Sequence, residues 1–340
     1  MVNNKKGITI AGNVLVDIVK NIDSYPKQGM LSYISDISYA VGGCVPNVAI
    51  DLAKIDSDVP ISAIGKLGTD ENGTYVLNQL KANGINTDMI CFSDKTPTSF
   101  SDVMSQPAGE RTFFHQKGTN AEFAPSDINI DSLNCDIFHI GYILLLDKFD
   151  EEDSEYGTAM ARFLHNVQKM GIKTSIDVVS DNSADYGKKI IPALKYSNYV
   201  IINEIECCKI WNTEAYKADG SLNKDELISA MKKTVQSGVS DKLIVHSKAT
   251  SFVMDAKTME CTELASLVIP ESEIKGSVGA GDAFCAGSLY GLYKEFTDIE
   301  ILEFASSAAA CNLFEANAVD GMKNKDEIML VSKKYPRHKI

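Results

Sequence analysis

No two cysteines in the chain are spaced C-x-x-C, no apolar run approaches the length of a membrane span, and basic residues are outnumbered by acidic ones, 33 to 46. Each deficit removes a class of function. The eight cysteines (Cys44, Cys91, Cys135, Cys207, Cys208, Cys261, Cys285, Cys311) are scattered over 340 residues, which speaks against a disulfide framework and for a reducing compartment. The same spacing argues against a zinc site. The opening MVNNKKGITIAGN has no apolar h-region, so the expected location is the cytoplasm, with no membrane partner. A formal net charge of −13 repels phosphates and excludes a protein that coats nucleic acid, while a local pocket can still draw in a small anion. Repeats, linkers and low-complexity segments are missing too. So is the G-x-G-x-x-G of a nicotinamide-dependent oxidoreductase: GNVLVD does not match it, and the glycine-rich turn lies late in the chain.

What the chain has is 44% hydrophobic residues arranged as short apolar runs alternating with helical stretches. Strands are expected at 8–13, 60–65, 136–141, 173–179, 199–203 and 243–247, and helices at 71–84, 158–171 and 224–238, the first closed by a glycine suited to its C-terminal turn. This alternation predicts an α/β fold, a doubly wound, mostly parallel sheet flanked by helices, with ligands bound outside the carboxyl ends of the strands. Two segments break the rhythm. Residues 14–40 are extended without helical period, and residues 96–118 read as a hairpin around a PAGE turn. They are expected to form a small β-sheet lid on a core made of residues 1–13, 41–95 and 119–340.

The most informative stretch is KGSVGAGDAF, residues 275–284. Gly279, Ala280 and Gly281 remove side chains where the backbone must approach a ligand or take a positive φ. The helix they open presents free amides and the positive end of its dipole, an anion site. Asp282 is out of place in a loop that only binds phosphate. It fits if it takes a proton from a hydroxyl attacking that phosphate, and it fits equally as a simple N-cap.

GSVGAGDAF resembles the signature of the ribokinase-like, phosphofructokinase-B-type (PfkB) carbohydrate kinases. Four further elements follow that family's order: GNVLVD (Gly12 to Asp17), GGCVPNVA (Gly42 to Ala49), GKLGTDENG (Gly65 to Gly73) and NEIE (Asn203 to Glu206). The resemblance spans roughly residues 7–325. It implies a kinase that uses ATP and Mg²⁺, with Asp282 as general base and the amides from Gly279 to Asp282 holding the transferring phosphoryl group. Asp17, Gly42, Gly43 and Asn47 would line the sugar pocket. Asn203, Ser247, Lys248, Gly279, Gly281 and Asn312 would meet the nucleotide. Glu206 would support Mg²⁺ through water.

Related sequences carry an acid where this chain has Gly276, and that acid helps to ligate a monovalent cation. Its loss predicts weak or absent K⁺ dependence. Lys248 either reaches a phosphate or is simply solvated, and Asn317 replaces a glycine in a turn where it is expected to tolerate left-handed backbone. Arg111 either folds over the site to meet a substrate anion or is a charge on a hairpin edge. His246 is the one histidine near an active-site strand end, whereas His139 reads as a core residue. Phe100, Phe113 and Phe114 either pack the lid onto substrate or form the seam of a lid-to-lid homodimer. The function expected is transfer of the γ-phosphoryl group of MgATP to a hydroxyl of a small sugar. The alternatives are a nucleoside kinase of the same superfamily and a non-catalytic nucleotide or sugar sensor.

Overall fold

The computed structural model describes residues 6–106, 111–180 and 185–340. Its largest sheet is built from β1 (Ile8–Gly12), β4 (Ile61–Ile64), β7 (Ile137–Ile143), β8 (Lys173–Val178), β9 (Tyr199–Asn203) and β10 (Lys242–His246), all parallel. These are the six strands expected from the sequence. Two more, β11 (Thr250–Asp255) and β12 (Cys261–Ala265), extend the β10 edge in antiparallel fashion, giving the order β12-β11-β10-β9-β8-β7-β1-β4. The parallel strands are apolar on both faces, because helices cover both. Ile244 packs into one hydrophobic layer while its neighbours Leu243 and Val245 pack into the other. The first layer contains α1 (Cys44–Ile55), α7 (Ala280–Tyr293) and α8 (Asp298–Asn312), and the second α3 (Ala159–Lys169), α4 (Tyr186–Leu194) and α6 (Lys224–Gln236).

The glycine expected at the end of the first helix is confirmed, and two further helices end the same way. The helix α2 (Glu71–Ala82) is followed by Gly84, α3 by Gly171 and α6 by Gly238, each with positive φ. Asp70 caps α2 by accepting from the Gly73 amide at 2.8 Å.

The two segments that broke the rhythm form a four-stranded sheet, β3-β2-β5-β6, from β2 (Leu15–Ile22), β3 (Ile34–Gly42), β5 (Phe100–Ser105) and β6 (Arg111–Gln116). Two antiparallel pairs meet through a parallel β2–β5 seam. The turn read at 107–110 lies outside the described residues. Strand alternation sorts the sheet into two faces. Asp17, Val19, Val103 and Phe113 share one; Ile18, Tyr39, Asp102 and Phe114 share the other. Strand β3 runs into α1 through a single residue, Gly43, at φ 87°. A side chain there would strike Asn13, and one at Gly42 would strike Asp17 and Leu15. Among the described residues no helix is long and apolar enough to cross a membrane.

Candidate active site

The helix α7 begins where the chain turns through Gly279, at φ 79°. A methyl group on Gly279 would sit 2.6–2.7 Å from Ala318, so this position excludes a side chain both by conformation and by space. The loop is pinned from below by Asn312, whose buried amide donates to Val278 O at 3.1 Å and Ala318 O at 3.0 Å. Asn312 therefore braces the glycine turn.

Asp282 lies in the first turn of α7 and is buried. Asn47 Nδ2 donates to its Oδ2 at 2.8 Å, and Tyr142 Oη donates to its Oδ1 at 2.6 Å. Burial pushes the Asp282 carboxyl up to about 7, partly opposed by these two hydrogen bonds and reinforced by the nearby Asp177 and Asp17 charges. A carboxylate with this value exchanges protons near neutrality, as a general base requires. Burial also drives the Tyr142 hydroxyl well above its ordinary value, so it stays a donor across the working pH range.

Asp282, Gly279 and Gly281 border a cavity of about 280 Å³ at the carboxyl ends of the strands, shared with Tyr142, Asp177, Asn203, Glu206 and His246. Asn203 ends β9 and starts the short helix α5 (Glu204–Lys209) with a reciprocal capping box. Its Oδ1 accepts from the Glu206 amide at 2.8 Å, while Glu206 Oε2 accepts from the Asn203 amide at 2.9 Å. Glu206 Oε1 takes the Ser180 hydroxyl at 2.9 Å, and burial raises its carboxyl to about 7. The N-x-x-E element thus folds its own helix start while presenting an acid to the cavity. His246 ends β10, packs 4.7 Å from the Phe284 ring, and is pushed down to about 4 by burial, hence neutral at pH 7.

A second cavity of about 270 Å³ lies against Val278 and is lined by Asp17, Val103, Arg111 and Phe113 of the small sheet. Burial raises the Asp17 carboxyl to about 6, against the pull of the Arg111 charge. Arg111 and Asp17 thus share one cavity, and of the paired aromatics only Phe113 faces it. Phe100 is partly buried against the core.

Some expected residues are not brought together with Asp282. Ser247 closes the tight β10–β11 turn, its hydroxyl donating to Thr250 O at 2.8 Å, and Lys248 is exposed on that turn; neither lines the Asp282 cavity. Asn317 keeps its turn by a route other than left-handed backbone. Its φ is not positive, and its side-chain oxygen accepts from the Asp320 amide at 2.8 Å. Tyr142 and Asp177 were missed. Both sit inside apolar strand runs, where a tyrosine or a lone acid carries no local signal of a site.

The family model for pfkB family carbohydrate kinases matches residues 5–325. The chain is 24% identical to probable fructokinase-5 of Arabidopsis thaliana over 334 residues, covering 92% of each chain. It is 22% identical to 5-dehydro-2-deoxygluconokinase of Geobacillus kaustophilus, covering 93% of this chain and 90% of the other. Among solved structures, Arabidopsis thaliana ribokinase complexed with ribose and ATP superposes with a TM-score of 0.79 at 20% identity, over 97% of this chain and 99% of that one. The nucleoside kinase of Methanocaldococcus jannaschii superposes with a TM-score of 0.74 at 17% identity, over 97% and 98%. The ribokinase-like fold follows from these superpositions, and the match over nearly all of its length makes the chain a member of the pfkB family of carbohydrate kinases, phosphotransferases with an alcohol group as acceptor.

Proposed function

We propose that the protein transfers the γ-phosphoryl group of MgATP to a hydroxyl of a small sugar, with Asp282 as general base. The observation that carries this reading is the setting of Asp282: a buried carboxyl held near pH 7 by burial and two donors, in the first turn of a helix opened by a side-chain-free turn. The Asp282 carboxylate takes the proton of the acceptor hydroxyl as its oxygen bonds to phosphorus, and the bond to the departing ADP oxygen breaks. The amides of Gly279, Ala280, Gly281 and Asp282, at the positive end of α7, hold the charge on the phosphoryl oxygens. Gly279 and Gly281 leave room for that approach.

Asp17, Arg111 and the backbone at Gly42 and Gly43 form the sugar side, with Asn47 orienting the base. Asn203, His246 and Glu206 line the nucleotide side. Glu206 would hold Mg²⁺ through water, and the ion would neutralise charge on the phosphates. Ser247 and Lys248 would touch the nucleotide only at the outer rim. Residues 14–40 and 96–118 act as a lid over the sugar, and the exposed outer face of that sheet, bearing Ile37, Tyr39 and Phe114, is covered by a second copy of the chain. A nucleoside acceptor is the second reading, favoured by Phe113, an aromatic ring in the Asp17 cavity on which a base can stack.

The test is ADP release from MgATP against ketoses, aldoses, sugar acids and nucleosides, with Asp282→Asn in parallel. Turnover on one acceptor, lowered by about 10²–10⁴ in the variant with nucleotide binding retained, is expected. Near-wild-type turnover of Asp282→Asn refutes the assignment.

A further inference from the structure

Beside Asp282 lies a polar cluster that shares Asp177 with the active-site cavity and otherwise has no part in the proposed phosphoryl transfer. Cys44 opens α1, His139 sits in the middle of β7 and Asp177 near the end of β8, yet their ligand-type atoms all lie within 4.8 Å of one another. His139 Nε2 is 3.4 Å from Asp177 Oδ2 and 3.7 Å from the thiol of Cys285 on α7. The first is the separation of neighbouring ligands on a tetrahedral zinc ion, whose bonds of about 2.0–2.3 Å put them roughly 3.3–3.8 Å apart. All four side chains are buried, Cys44 and His139 completely.

Three further features point the same way. Asp177 Oδ1 is buried without a hydrogen bond of ordinary geometry among the described residues, with the Cys44 thiol beside the carboxyl as its close neighbour. A cation in place of the thiol proton would satisfy the sulfur and the carboxylate oxygen together. His139 Nδ1 lies 2.9 Å from Ser175 Oγ, the kind of outer partner that fixes the ring and tautomer of a metal-bound imidazole. Strand β7 is also bare where the groups converge. A methyl group on Gly141 would collide with both Asp177 Oδ1 and Cys44 Sγ.

We propose that Cys44, His139 and Asp177, with a water as fourth ligand, form a binding site for one divalent cation of the zinc class, distinct from the Mg²⁺ that accompanies ATP. Thiolate and imidazole select a borderline-soft ion over Mg²⁺ or Ca²⁺. On binding, one metal–sulfur bond forms at Cys44, and its S–H proton leaves to solvent. Cysteine spacing bears on local pairs only, and here the ligands arrive from three separate elements. Cys44 lies one turn before Asn47, so the cation would clamp the hydrogen-bond donor of Asp282 to the strands beneath.

The test is titration of the chelator-stripped protein with Co²⁺. One equivalent should produce visible bands of tetrahedral cobalt with a near-ultraviolet thiolate-to-cobalt band, and Zn²⁺ should displace them. Zn²⁺ at a hundredfold excess over its Kd should raise the melting temperature by roughly 4 °C. Cys44→Ser and His139→Gln, checked for folding by circular dichroism, should abolish the bands; Cys261→Ser, at an exposed thiol, should keep them. A wild-type titration without a thiolate band at one equivalent overturns the proposal, whether or not the variants fold. Bands that survive in Cys44→Ser overturn it as well.

Discussion

Replacing Tyr142 with Phe removes one oxygen and one of the two donors to the Asp282 carboxylate, and the structure fixes both the sign and the size of the effect. The 2.6 Å hydrogen bond favours the ionised form, so its loss must raise the proton affinity of Asp282. A hydrogen bond to a charged group contributes about 1.5–3 kcal/mol, and about 1.4 kcal/mol moves a titration by one pH unit. The midpoint should therefore climb from about 7 to between roughly 8 and 9. Catalysis needs the carboxylate, so the acid limb of kcat/KM should shift upward by the same interval. At pH 7 the variant should lose a factor of roughly 5 to 50, and the loss should shrink as the pH rises past 9. The assay is initial-rate ADP release from pH 6 to 10 with the acceptor identified by the panel. A drop of equal size at every pH, with an unmoved midpoint, would refute the reasoning, because that is what simple damage to packing produces.

Asp282→Asn should melt higher than wild type at pH 8. A folded-state value of about 7 against an ordinary 3.8 means the native protein loses stability as pH rises through that window, by on the order of 4 kcal/mol, and the amide escapes this loss. Equal melting temperatures of the two proteins at pH 8 would contradict it, and below pH 4 the difference should vanish. Gly279→Ala should destabilise by about 2 kcal/mol or more and depress kcat, since the left-handed turn and the Ala318 contact both resist a methyl group; chemical denaturation reads the first and turnover the second. Exchanging K⁺ for Na⁺ should leave turnover nearly unchanged. No carboxylate stands at Gly276, and a Cβ there would already lie 3.1 Å from the backbone of Glu315 and Ala316. Strong K⁺ activation would show that other ligands build the cation site.

The parallel core was legible because its strands are short apolar runs buried on both faces, a pattern set by local composition. The strands β11 and β12 were not read. In β11 only Phe252, Val253 and Met254 are apolar although the strand is buried on both faces, and β12 at the sheet edge is mostly polar and half-exposed, so neither carries a strong local pattern. Nor could the parallel β2–β5 seam be read, because it joins segments separated by a whole helical unit. The same limit governs the site. Gly279, Gly281 and Asp282 announced themselves as one contiguous motif, whereas the partners of Asp282 come from 235 and 140 positions away in the chain. Asn312 and Asn203 were singled out as nucleotide contacts, but their visible work is bracing a turn and capping a helix. A side chain's type shows what it can bond to, and only the fold decides what it meets.

The single residue between β3 and α1 has a thermodynamic consequence. Gly43 joins a strand of the small sheet, which borders the cavity proposed for the sugar, to the helix whose Asn47 donates to Asp282, the proposed base. On that reading acceptor and proton are ligands of one connected element. Reciprocity then applies: whatever factor a bound sugar imposes on the proton affinity of Asp282, a proton on Asp282 imposes on the affinity for sugar. Acceptor affinity measured across pH would report on the base without a single turnover.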